Sequence, residues 1–179
     1  MDASALVRRL EVFPKAVAGA VAGLTDAELR WRPPDGAWSV LEVLCHLGDE
    51  EVADFRPRTL GTLKDPTTPW PTINPQAWPA ERRYNEQDPA AALDRFTRER
   101  AESLRLLREL EAGAGGLNKV DWTRAYQHPK VGPVPAGEVL AAWAGHDALH
   151  LRQIAKRLWE MAGRDGSPYP TKYAGEWKA

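Results

Sequence analysis

Gly145-His-Asp-Ala-Leu-His-Leu-Arg-Gln-Ile154 lies in the middle of the strongest helical pattern in the chain. At about 100° of rotation per residue, Val139, Trp143, His146, His150, Ile154 and Met161 fall on one stripe, so both imidazoles stand among apolar neighbours. Residues four apart on a helix are near neighbours, and neutral imidazole nitrogen is the commonest metal ligand, so the pair is a candidate clamp for a divalent ion. A single histidine on a helix face is more often a hydrogen-bonded core or surface residue, which is the competing reading.

Working outward, Pro135 suits the first turn of this helix, which is expected to end near Gly163. Three more long helical segments precede it. The first runs from about Ala3 to Ala22 on Leu6, Leu10, Phe13, Val17 and Val21, with Pro14 as a possible bend. Thr25 and Glu28 form a capping box for a short helical turn. Ser39 with Glu42 is a second capping box, opening a helix with Val40, Leu41, Leu44, Leu47 and Phe55 on its apolar face. Asp88-Pro89 supplies an N-cap and first-turn proline for the next helix, which Gly113, Gly115 and Gly116 end. Between Lys64 and Asp88 the chain carries Pro66, Pro69, Pro71, Pro75 and Pro79, a composition that excludes regular helix. Such a segment is long enough to return along a bundle, so the second and third helices can run parallel. No stretch shows strand alternation bounded by hairpin turns, and the fold expected is an all-α four-helix bundle with a proline-rich crossover.

Composition sets further bounds. The 179 residues, 43% of them hydrophobic, suit one compact domain over 1–179. With 24 Lys and Arg against 25 Asp and Glu, nothing suggests capture of nucleic acid or an anionic membrane. No run approaches the roughly 20 apolar residues of a membrane span, and a single cysteine forms no internal disulfide, so a cytoplasmic location is expected.

A third histidine raises the weight of the metal reading. His46, on the second helix, can meet His146 and His150 across a bundle, and three histidines with open positions are typical of catalytic rather than structural sites. The helical wheel gives an opposing picture. The apolar residues of that helix centre near about 30° and His46 falls at roughly 240°, between Glu42 and Glu50, where a solvated histidine would sit. Asp49, Glu50 and Asp147 are candidates for orienting ligand imidazoles or serving as a general base, or are simply solvated. Gln153 can hydrogen-bond across the bundle, and His128, in the loop before the last helix, is a candidate pocket residue or fourth ligand. Cys45 reads as a small buried residue rather than a nucleophile. Trp38, Trp143 and Trp159 are expected in the core, with Trp70 and Trp78 as pocket walls.

These residues carry a family resemblance. Trp38-Ser-Val-Leu-Glu-Val-Leu-Cys-His46-Leu-Gly-Asp49, followed by His128-Pro and by Trp143-Ala-Gly-His146-Asp-Ala-Leu-His150-Leu-Arg-Gln-Ile154, resembles the DinB-like superfamily, which includes YfiT-type metal-dependent hydrolases and bacillithiol transferases. The resemblance covers nearly the whole chain. It implies an up-down-down-up bundle, often a homodimer, with His46, His146 and His150 around nickel, zinc, iron or manganese. It also implies a small-molecule substrate, with the metal activating water for hydrolysis or a low-molecular-weight thiol for S-transfer. A non-catalytic metal-binding or stress-response bundle is the alternative. A further enzyme reading treats His146-Asp-Ala-Leu-His150 as a variant of the His-Glu-x-x-His metalloprotease pattern, with Glu160 or Asp165 as the remaining ligand.

Overall fold

The computed structural model describes residues 1–178. Its helices are α1 (Ala3–Val21), α2 (Asp26–Arg30), α3 (Val40–Glu50), α4 (Arg56–Lys64), α5 (Trp78–Glu81), α6 (Pro89–Ala114) and α7 (Ala136–Asp165). A widened π turn over Glu51–Phe55 joins α3 to α4. Pro57, second in α4, has no N–H to offer the Ala53 carbonyl and would crowd it with its ring, so the widened turn lies where an α-helical ladder could not continue regularly. The expected starts hold. The Thr25/Glu28 and Ser39/Glu42 capping boxes are both formed, and the Asp88 side chain accepts from the Ala91 N–H at 2.7 Å with Pro89 at the first position of α6. Gly115, left-handed at φ 69°, closes α6.

Side-chain pairs set the directions. Gly48 approaches Phe96 and Glu51 meets Arg100, so α3 and α6 run parallel. Phe13 meets Phe96 while Ala3 meets Asn118, so α1 opposes α6; Met1 meets Gly137, so α1 and α7 run the same way. The result is an up-down-down-up bundle. The return between α4 and α6 is the proline-rich segment, regular only in the single turn of α5 and a 3-10 turn at Tyr84–Glu86.

One expectation needs correction. The loop before the last helix contains an antiparallel hairpin, β1 (Ala125–His128) with β2 (Gly132–Pro135), in the register Ala125↔Pro135 and His128↔Gly132. Its strands are four residues each, too short to show alternation, and Pro133 and Pro135 are tolerated because each strand of this two-stranded sheet has a free edge. Consequently Pro135 caps α7 from outside instead of opening its first turn, and α7 continues to Asp165. Among the described residues no helix is long and apolar enough to cross a membrane.

The core is two apolar clusters separated by a polar layer. One gathers Phe13, Val17, Leu44, Leu47, Phe96 and Ile154; the other gathers Leu10, Leu104, Leu107, Leu140 and Trp143. Each fully buried Leu or Phe contributes roughly 1.5–3 kcal/mol by leaving water. Between the clusters Arg100, 1% exposed, donates to Glu51, to both oxygens of Asp147 and to the Leu10 carbonyl. That carbonyl is the one Pro14 leaves without its helical partner, so the guanidinium completes the backbone ladder of α1 while joining three other segments. Ser103 and the Trp143 indole also donate to Glu51, at 2.7 and 2.9 Å.

Candidate metal centre

All eleven residues of α3 are buried, including both its apolar and its polar faces. His46 is therefore enclosed, 4% exposed, despite its position off the apolar stripe. From the antiparallel α7, His146 and His150 meet it. The Nε2 atoms of His46 and His150 lie 3.3 and 3.0 Å from Nε2 of His146. One donor nitrogen from each ring falls within 4.8 Å of the other two.

Three largely enclosed nitrogens this close form a donor set that could hold a metal ion. An N–H on His146 can point at only one neighbour, so hydrogen bonding among the rings leaves one of the two close contacts poorly satisfied. Burial and the neighbouring imidazoles push His46 down to about 3 and His146 to about 2, and burial lowers His150 as well, so all three rings are neutral at pH 7. Neutral imidazoles are the ligating form. A tetrahedral ion with metal–nitrogen bonds of about 2.0–2.1 Å holds its donors about 3.3 Å apart, which is the spacing seen around His146. Gln153 Oε1 lies 2.9 Å from His150 Nδ1; an amide oxygen there takes a hydrogen bond from Nδ1–H, which favours the tautomer whose Nε2 lone pair is directed inward. No described residue partners His46 Nδ1.

Aromatic side chains brace the rings. Trp38 stands edge-on to His46 at 4.9 Å and parallel to His150 at 6.4 Å, while Phe55 leans on His146 at 4.9 Å and stacks on Trp143. The π turn matters here: its extra residue lets Phe55 reach the side of His46 and Glu50, where Asp54, four residues after Glu50, also lies. The histidines open onto a cleft of about 590 Å³ whose walls include Trp38, Glu50, Asp54, Phe55 and Gln153. Trp38 is thus a cleft wall, and Trp78 is buried beneath His46; Trp70 stacks instead on Tyr126 of the hairpin, and Trp159 is half-buried against Trp177.

The acidic candidates separate. Asp49 is taken by Arg82, Arg95 and the Tyr84 hydroxyl, on a different side of α3, and Asp147 by Arg100. Glu50 alone stays beside the histidines, with Oε1 3.7 Å from His46 Nε2. Burial and the adjacent Asp54 push its carboxyl up to about 8. His128 belongs to the hairpin, near Trp70 and Tyr126, and is absent from the cluster. Glu160 lies against Lys156 and Arg157, and Asp165 against Arg164, so the metalloprotease variant finds no carboxylate there; the third nitrogen comes from His46. Burial raises the Cys45 thiol to about 12, which keeps it an unreactive thiol. Sequence reasoning missed Phe55 as a ring support, because its role depends on the π turn.

The depressed histidines predict a pH dependence for protein stripped of metal. Between about pH 3 and pH 6.5 the unfolded chain holds protons that the folded histidines refuse, so stability falls as pH falls through that window. Glu50 and Asp147, raised to about 8 and about 6, act in the opposite sense. The clean measurement is a difference. Between pH 7.5 and 5 in urea, the wild-type protein should lose more stability than the variant with all three histidines changed to alanine.

The model of the DinB superfamily matches residues 9–154, well over half of the chain. The chain belongs to the DinB superfamily. It is 25% identical over 160 residues to "Putative metal-dependent hydrolase YfiT" of Bacillus subtilis (strain 168), covering 85% of this chain and 83% of that protein. The solved structure of YfiT from Bacillus subtilis, described as a probable metal-dependent hydrolase with an unusual four-helix bundle topology, superposes with a TM-score of 0.74 at 22% identity. The match spans 92% of this chain and 87% of that one, and it shows a shared fold.

Proposed function

We propose that this DinB-superfamily protein is a metal-dependent hydrolase of small molecules, with His46, His146 and His150 holding one divalent cation. The observation that carries the reading is the convergence of three neutral imidazole nitrogens, from α3 and α7, on the wall of an open cleft. Zinc, nickel, iron and manganese all accept imidazole, and the donor set alone does not choose among them. Such a cation supplies Lewis acidity and, from water, a nucleophile at neutral pH.

The chain's own residues supply the rest. Gln153 holds the His150 proton on Nδ1, which keeps the ring oriented and its Nε2 free. Trp38 and Phe55 lock the imidazoles by contact and keep bulk water from their flanks. A cleft of about 590 Å³ suits a small molecule, with Trp38 and Phe55 as apolar walls and Gln76 and Gln153 as polar ones.

The test is a panel of small esters and amides assayed before chelation, after it, and after adding back each of the four metals. Hydrolysis is expected to vanish with the metal and to return with one of them. Turnover that appears only when a low-molecular-weight thiol and an electrophile are both supplied would replace hydrolysis with S-transfer. No turnover of either kind would leave a binding protein.

A further inference from the structure

Four carboxylates follow one another closely in Asp49-Glu-Glu-Val-Ala-Asp54, and the structure treats one of them differently. Asp49 is paired with Arg82 and Arg95, Glu51 with Arg100, and Asp54 with Arg58 at 2.7 Å. Glu50 is 4% exposed and, among the described residues, faces no arginine or lysine within ion-pair distance. Its neighbours are the His46 ring, 3.7 Å from Oε1, and the Asp54 carboxyl. A buried acid stays ionised only beside a positive partner, because desolvation of the charge without one costs several kcal/mol. Every other buried carboxylate in this stretch has received an arginine.

The open side of the three-histidine cluster is where a positive charge is missing. Glu50 lies one helical turn after His46 on the same face of α3, and both line the cleft with His146 and His150. Its oxygen approaches the same Nε2 that points at the other two rings, so a modest side-chain rotation brings it alongside the nitrogens. We infer that Glu50 is the anionic fourth donor of the cation site, joining His46, His146 and His150 in a three-nitrogen, one-oxygen set. The inference rests on the metal site proposed above. A carboxylate oxygen adds charge neutralisation that three imidazoles lack, and it improves the site for oxygen-preferring ions such as manganese relative to zinc.

The measurement is metal affinity, by competition with a chromogenic chelator, for wild type, Glu50→Gln, Glu50→Asp and His146→Ala, with helicity followed by circular dichroism. Glu50→Gln keeps size and hydrogen bonding and removes the charge. Its affinity for manganese is expected to fall at least 10-fold, more than its affinity for zinc, with the bound-cobalt visible spectrum altered and Glu50→Asp intermediate. Wild-type affinity and an unchanged cobalt spectrum in Glu50→Gln, alongside metal loss in His146→Ala, would overturn the role of Glu50 and leave the histidine site standing. Metal retained by His146→Ala would instead defeat the underlying site. Should Glu50→Gln not fold, a crystal structure of the manganese-loaded wild type decides: a Glu50 oxygen bonded to the ion supports the assignment, and one turned away from it overturns it.

Discussion

Replacing Arg100 with methionine is expected to lower the unfolding free energy by about 3–5 kcal/mol, the cost of removing one partner from a buried ion pair. Arg100 is 1% exposed and holds Glu51, both oxygens of Asp147 and the Leu10 carbonyl, all at 2.7–2.9 Å. Methionine fills much of the same space but leaves Asp147 and the Leu10 carbonyl without a donor, and Glu51 with only the uncharged Ser103 hydroxyl and Trp143 indole. Asp147 already stands at about 6, because burial outweighs the arginine beside it. Without Arg100 its carboxyl rises further, so the penalty is larger at pH 8 than at pH 5: protonating the orphaned acid relieves it. The check is the urea midpoint at both pH values. Adding Glu51→Gln and Asp147→Asn to Arg100→Met should recover a large part of the loss, since uncompensated charge is its source. A loss below about 1 kcal/mol for the single variant would mean that water satisfies the network.

Removing His146 has the largest expected effect on the site. Its Nε2 is the one both other rings approach, so alanine there leaves only two imidazole nitrogens, one on each of two different helices. Stoichiometric metal is expected to be lost. Gln153→Ala, which frees only the proton partner of His150, should weaken binding roughly 10–100-fold, the usual effect of an outer hydrogen-bond partner, and His146→Ala should exceed that. His128→Ala is the control, because His128 sits on the hairpin and should change nothing. Elemental analysis of the purified variants, with chelator competition for those that still bind, reads all three. Helical content should be retained, because the His146 side chain contributes a ring contact with Phe55 and no backbone bond.

Legibility of the chain followed the range of the interactions involved. Capping boxes at Thr25 and Ser39, the Asp88-Pro89 start and the glycine stop at Gly115 involve residues within a few positions of one another, and they stand in the structure as the sequence implies. The stripe through Trp143, His150, Ile154 and Met161 likewise faces inward on α7. His46 behaved differently. A helical wheel assumes one buried face, and α3 lies between α6, α7 and the returning crossover segment, so its polar face is covered as thoroughly as its apolar one. The hairpin escaped notice because two four-residue strands containing prolines carry no periodic signal.

The roles of neighbouring acids were equally out of reach. Asp49, Glu50 and Glu51 are consecutive, yet they face three different surroundings, and only the tertiary arrangement of Arg82, Arg95 and Arg100 tells them apart. The widened turn at Glu51–Phe55 then carries Phe55 to the side of the histidines. The places of the long helices, the capped starts at Thr25, Ser39 and Asp88 and the His146–His150 pair are local properties, encoded in the 3.6-residue period and in capping side chains, and the amino-acid order alone determined them. Which buried acid found an arginine, which did not, and that His46 closes the histidine cluster were decided by the packing of helices distant in the chain, because burial and ion pairing depend on every neighbour in space.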